Sequence, residues 1–192
     1  MNPFRLLFLC TLFLASYSNA QRIAMVDLKV HPDTLVEKFK AKGLKPLNAL
    51  EKYTLVGNLQ GEKVRMKIDL TPMSQQVYQV TVTYANHPMI WDSIKCSFCN
   101  RLAKLEERYS SSKNKDIVFP EGYSDGSGNE LKGIAENKVH YAINWGDMPF
   151  FQNLFLQMQV NAKGEIEVLY RLRDNFMKFE EEQQMKGNEL RF

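Results

Sequence analysis

Lys63-Val64-Arg65-Met66-Lys67-Ile68-Asp69-Leu70 decides the fold. Apolar Val64, Met66, Ile68 and Leu70 alternate with charged Arg65, Lys67 and Asp69. A period of two with one dry and one wet face belongs to half-buried antiparallel sheet. Working outward, strands are expected at about 51–58, 63–70 and 77–85, and the same three-strand unit recurs downstream. Tyr53-x-Leu55 answers to Tyr141-x-Ile143, and Met66-x-Ile68-x-Leu70 to Leu154-x-Leu156-x-Met158, each 88 positions on. Val80-x-Val82-x-Tyr84 answers to Ile166-x-Val168-x-Tyr170 at an offset of 86. Strands are therefore expected again at about 138–145, 152–160 and 165–172.

Helices fill the intervals. Val26, Leu28 and Val30 alternate as a first strand, which His31-Pro32 ends. Asp33 is the expected N-cap of a short helix whose face is Leu35, Val36 and Phe39, ending at Gly43. A longer helix is expected over about 89–110, after His87-Pro88. Its stripe is Trp91, Ile94, Phe98, Leu102, Leu105 and Tyr109. Residues 110–133 read as a long polar connection, with Ile117, Val118 and Phe119 its apolar cluster. Leu172, Phe176 and Phe179 indicate a closing helix with a fraying polar tail from Glu180. The order predicts an α+β fold of two tandem repeats, each a helix packed on an antiparallel sheet of three or four strands. The boundaries follow: a leader at 1–20, a first repeat at 21–86, a second at 87–173 containing the 110–133 loop, and a C-terminal helix and tail at 174–192.

The leader has one positive charge, Arg5, then an apolar run from Leu6 to Ala15, then small Ser18 and Ala20. That is the pattern of a cleaved secretory signal, so export to the periplasm or medium is expected, with a mature chain starting at Gln21. No later segment is apolar enough to span a bilayer. The net charge of +3 becomes +2 without Arg5, and no basic block stands apart, which argues against nucleic acid as a partner. Only Cys96 and Cys99 remain after cleavage, so a core and not a disulfide framework must stabilise the chain.

Candidate chemistry is sparse. Cys96-Ser97-Phe98-Cys99 is the sharpest motif. At ~100° per residue, both thiols fall off the buried stripe and about 60° apart. This makes Cys96 and Cys99 a candidate disulfide or redox pair, although a thioredoxin-type pair stands at the start of a helix and this one lies inside it. Asp125-x-Ser127-x-Asn129 with Glu136 mimics a calcium loop, but Glu130 stands where that loop needs glycine. His31, His87 and His140 do not converge in the sequence pattern, and no catalytic, cofactor or metal set can be assembled from spacing. At the offset of 88, the polar tip Gln60-Gly61-Glu62-Lys63 becomes Met148-Pro149-Phe150-Phe151. An apolar tip marks a contact surface, so Met148, Phe150 and Phe151 are candidate partner-binding residues.

The helix pattern W-x-x-I-K-x-x-F-x-x-x-L-x-x-L-x-x-x-Y from Trp91 to Tyr109 follows Thr71-Pro72-Met73-Ser74-Gln75-Gln76-Val77-Tyr78-Gln79-Val80-Thr81-Val82. Together these resemble a group of uncharacterised secreted bacterial proteins. The helix-then-hairpins repeat resembles β-lactamase-inhibitor-protein-like (PepSY-like) domains. The resemblance covers about 24–172 and is specific over 66–109; its relatives carry other residues at the two cysteine positions. It implies an exported, non-enzymatic module that binds or inhibits a protein or peptide. The alternative is a thiol-disulfide oxidoreductase using Cys96 and Cys99.

Overall fold

The structure, a computed structural model, describes residues 22–23, 26–84, 90–109, 114–145 and 153–189. It is an α+β fold. Two short strands, β1 (Arg22–Ile23) and β2 (Val26–Asp27), pair with each other. Helix α1 (Pro32–Lys40) follows, then β3 (Leu44–Pro46), β4 (Thr54–Leu59), β5 (Glu62–Leu70) and β6 (Val77–Tyr84). Next come α2 (Trp91–Tyr109), β7 (Asn114–Val118), α3 (Glu130–Ala135), β8 (His140–Trp145), β9 (Leu154–Val160), β10 (Ile166–Leu172) and α4 (Arg173–Glu189). Strands β3 to β10 form one antiparallel sheet in the order β3-β4-β5-β6-β10-β9-β8-β7.

Local chemistry explains the joints. Gln60 and Gly61 both take positive φ between β4 and β5, the two-residue turn whose twist suits a hairpin. Asn161 Oδ1 accepts from the backbone N–H groups of Lys163 and Glu165, which closes the β9–β10 turn. Gly57 sits opposite Leu44, and a Cβ there would meet Gly43 O at 2.6 Å, so the edge strand β3 docks only against glycine.

The sheet buries one face. Leu55, Met66, Ile68, Val80, Val82, Ile166, Val168, Met158, Leu156 and Ile143 point into a single core with Leu35 and Phe39 of α1 and Ile94 and Phe98 of α2. Edge-on aromatic contacts seat α2: Trp91 on Tyr141 at 5.0 Å, Phe98 on Tyr141 at 4.9 Å, Tyr109 on Tyr170 at 6.3 Å. The alternation along β5 and β9 forces this, since a one-residue slip would turn every apolar side chain to the other face.

Several expectations need correcting. The offset of 88 for the middle strand is not the one the sheet uses. Met66 lies between Leu55 and Val82, and Met158 between Ile143 and Val168. Leu55 to Ile143 spans 88 positions and Val82 to Val168 spans 86, yet Met66 to Met158 spans 92. Met66 and Met158 hold like register positions in their hairpins, whereas Leu154 pairs with Leu172. The two three-strand units form one continuous sheet and not two, because β6 and β10 pair with each other. The first strand stops at Asp27, whose carboxylate accepts from Lys29 N and turns the chain. His31 caps α1 instead of Asp33, with Pro32 at the first helical position. The 110–133 segment is not all loop: β7 and the start of α3 lie within it.

The polar tail does not fray at Glu180. It continues α4 through Glu189 because Glu182 is an anchor. Its carboxylate accepts from Met73 N at 2.6 Å and Ser74 N at 3.3 Å, and only 6% of the residue is exposed. Hydrogen bonds from Ser74 and Met73 hold the Glu182 carboxyl below its ordinary value. Because folding lowers this pKa, the anchor is intact above the ordinary carboxylate range and is lost as pH falls through the lowered value. Glu182→Gln should mimic the acid state at neutral pH. Amide exchange of residues 178–186 should then quicken while the exchange of β6 and β10 holds, and equal protection in both variants would refute the anchor.

Candidate functional site

The sheet face away from α1 and α2 is built from the alternate residues of each strand. One row crosses it through register partners: Asn114, Asn144, Gln157, Leu169, Thr81, Lys67 and Thr54. The next row carries Ala142, Gln159, Glu167, Thr83 and Arg65. Apart from Ala142 and Leu169, these are the polar halves of the same alternation that built the core, so the sequence pattern dictates a largely wet face here.

Hydrogen bonds tie this face together. Arg65 Nη2 donates to Glu165 Oε2 at 3.1 Å. Asn161 Nδ2 bridges Glu165 at 3.1 Å and Glu167 at 2.9 Å, and Gln159 Nε2 reaches Glu167 at 3.1 Å. Near the other end, Arg171 Nη2 donates to Gln79 Oε1 at 2.8 Å, and Gln79 Nε2 reaches Asp69 at 3.4 Å. Thr83, Ala142 and Leu169 are buried even on this face. Asn144 Oδ1 is enclosed there without a hydrogen-bond donor. The result is a rigid, amide-rich surface of both signs, suited to hydrogen-bonding a polypeptide.

Among the described residues, α4 is the helix that meets this face, at one corner. Tyr78 stacks on Phe179 at 4.2 Å, and Arg171 lies 4.3 Å from the ring centre of Phe176. Beyond the corner, a cavity of about 560 Å³ is lined by Leu28, His31, Gln76, Asn153 and Asn175. His31 Nδ1 accepts from Asp33 N, so the neutral ring carries its proton on Nε2.

The sequence-derived candidates fall as follows. Cys96 and Cys99 are exposed free thiols on the outer side of α2, within the helix and not at its start. Met148, Phe150 and Phe151, and likewise His87, lie outside the described residues. In register, paired residues of β8 and β9 stand four positions further apart in the chain than those of β4 and β5. His31 and His140 are exposed in different places, and His140 is on the open face. In the calcium-like loop, Asp125 is taken by Trp91 Nε1 at 2.8 Å and by Lys95, and Glu136 by Tyr123 and Lys138. These contacts hold both carboxyls below their ordinary values, Lys95 leading at Asp125 and Lys138 at Glu136. Glu130 is buried and accepts from Gly126 N. Among the described residues, no group of His, Cys, Asp and Glu is placed to hold a metal ion, and no helix is long and apolar enough to cross a membrane.

Sequence reading missed the cross-strand network. Arg65 and Glu165 are a hundred positions apart, and their meeting depends on the pairing of β6 with β10. The signal available was the wet half of each alternation. Comparison with protein-family models, curated proteins and solved structures finds no match to this chain.

Proposed function

We propose that the chain is an exported, non-catalytic binding or inhibitory module that recognises a protein or peptide through its open sheet face. The observation that carries this is the row Asn144, Gln157, Leu169, Thr81 and Lys67, central on the sheet and away from both core helices. Side-chain amides there offer donors and acceptors together, the chemistry that matches a peptide backbone. The leader at 1–20 supports export to the periplasm or medium.

The proposal includes descent from two tandem repeats of the β-lactamase-inhibitor-like kind. The strand order supports this, since each half reads inward as edge strand, hairpin, centre. So does the central register: Val82 faces Val168, and Val80 faces Tyr170 as Tyr84 faces Ile166. A two-fold axis between Val82 and Val168 exchanges the two central strands at the offset of 86.

Arginines placed on the central row test the function. Thr81→Arg with Gln157→Arg should cost under about 1 kcal/mol of stability, as open-face changes do. Partner recovery from the envelope of the producing cell should fall at least about tenfold against the unmodified bait. Unchanged recovery by the folded double variant would overturn the open face as the binding surface.

Exposure of Cys96 and Cys99 favours a second reading, a thiol-disulfide oxidoreductase. Their mid-helix position weighs against it, because the first-turn N–H groups that favour a thiolate lie elsewhere. Insulin reduction with dithiol as electron source should show no acceleration over dithiol alone. A rate that rises with protein and vanishes in Cys96→Ser would make this the better reading.

A further inference from the structure

At the opposite end of the sheet from the 560 Å³ cavity, α2 and the β4–β5 hairpin enclose a smaller cavity of about 120 Å³. Ile23, Leu59 and Leu105 give it an apolar side, Arg101, Lys104 and Arg108 a basic one with Glu62 among them, and Gln60, Tyr84 and Tyr170 complete the lining. The cations recur at three- and four-residue steps, so one helix face presents them together.

Arg101 is the unusual member. Its guanidinium lies 3.3 Å from the ring centre of Tyr84, the side chain is 15% exposed, and its Nε is enclosed without an acceptor. A desolvated guanidinium gains more from a carboxylate than an exposed one does. The site already shows which group fits it: the Glu62 carboxylate bridges Arg101 and Lys104, the latter at 3.1 Å. Glu62 is itself one-third exposed, on a hairpin tip. Arg101 and Lys104 thus share one carboxylate, although a guanidinium has five donors and an ammonium three. Burial opposes ionisation of Glu62, but Arg101 and Lys104 outweigh it and keep its pKa below the ordinary value.

We infer that this cavity takes the free C-terminal carboxylate of a peptide whose last side chain is a short aliphatic one, with Arg101 and Lys104 holding the carboxylate and Ile23, Leu59 and Leu105 receiving the side chain. A volume of about 120 Å³ is on the scale of one such side chain. The inference rests on the proposal that the chain is a binding module and adds a second contact on the helix side of the sheet, separate from the open face.

The test uses the mature chain and two probes, N-acetyl-leucine and N-acetyl-leucinamide, which differ only in the carboxylate. Binding is read from saturable backbone amide shifts at Arg101, Lys104 and Leu105 at constant ionic strength. The acid should bind at least about tenfold more tightly than the amide, the worth of one charge-assisted contact. Lys104→Gln, at a side chain 70% exposed and so safe for folding, should weaken the acid several-fold. Arg101→Gln should abolish it, and Glu62→Gln should tighten it by vacating the cations. Equal binding of acid and amide, or an acid affinity unmoved by both Lys104→Gln and Arg101→Gln, would overturn the site. Inorganic phosphate competing as well as the acid would show a general anion site and would overturn the C-terminal assignment. Open-face arginines that abolish partner recovery while the acid fails to bind would sink this inference alone.

Discussion

Met66→Ala combined with Met158→Ala should remove most of the chain's stability at 25 °C. Both methionines are fully buried, each flanked on its sheet face by two inward-pointing apolar residues. Deleting a buried methionine side chain costs about 2–5 kcal/mol through lost transfer energy and the cavity left behind. The two sites lie on β5 and β9, three strand spacings or about 14 Å apart, too far to share a cavity. Their costs should then add to about 4–10 kcal/mol, against a total stability of about 5–15 kcal/mol for a domain. Denaturant titration of both single variants gives the sharper result. Equivalent positions predict similar losses, and a large loss at one with almost none at the other would refute their equivalence.

Trp91→Ala should cost about 3–5 kcal/mol. The indole is 7% exposed, meets Tyr141 and Phe119 edge-on, and donates its N–H to Asp125 at 2.8 Å. It therefore ties the start of α2, strand β8 and the 119–126 segment together. Trp91→Phe keeps an aromatic body and loses the hydrogen bond, so its cost should be nearer about 1–2 kcal/mol. Equilibrium unfolding of both variants separates packing from hydrogen bonding. A loss below about 1 kcal/mol in Trp91→Ala would mean that the indole is not a core group.

The open face and the core were legible together, because one alternation writes both. Val64, Met66 and Ile68 point one way and Arg65, Lys67 and Asp69 the other. Helix α2 was equally readable from its apolar stripe, and its outward thiols from the same angular count. Edge strands β3 and β7 were not. Strand β3 has three residues with Leu44 alone buried, and all five residues of β7 are exposed, so neither carries an alternation to read.

For the long alternating strands and helix α2, periodicity alone determined the type of element and which side of it is dry, since those follow from backbone geometry within a few residues. Pairing lay beyond it. That β6 joins β10, that Arg65 finds Glu165, and that Arg101 stacks on Tyr84 beside Glu62 are contacts between distant segments. They were decided by the tertiary structure, because a strand's pattern records that it has a dry face but not which strand lies beside it, or at what register.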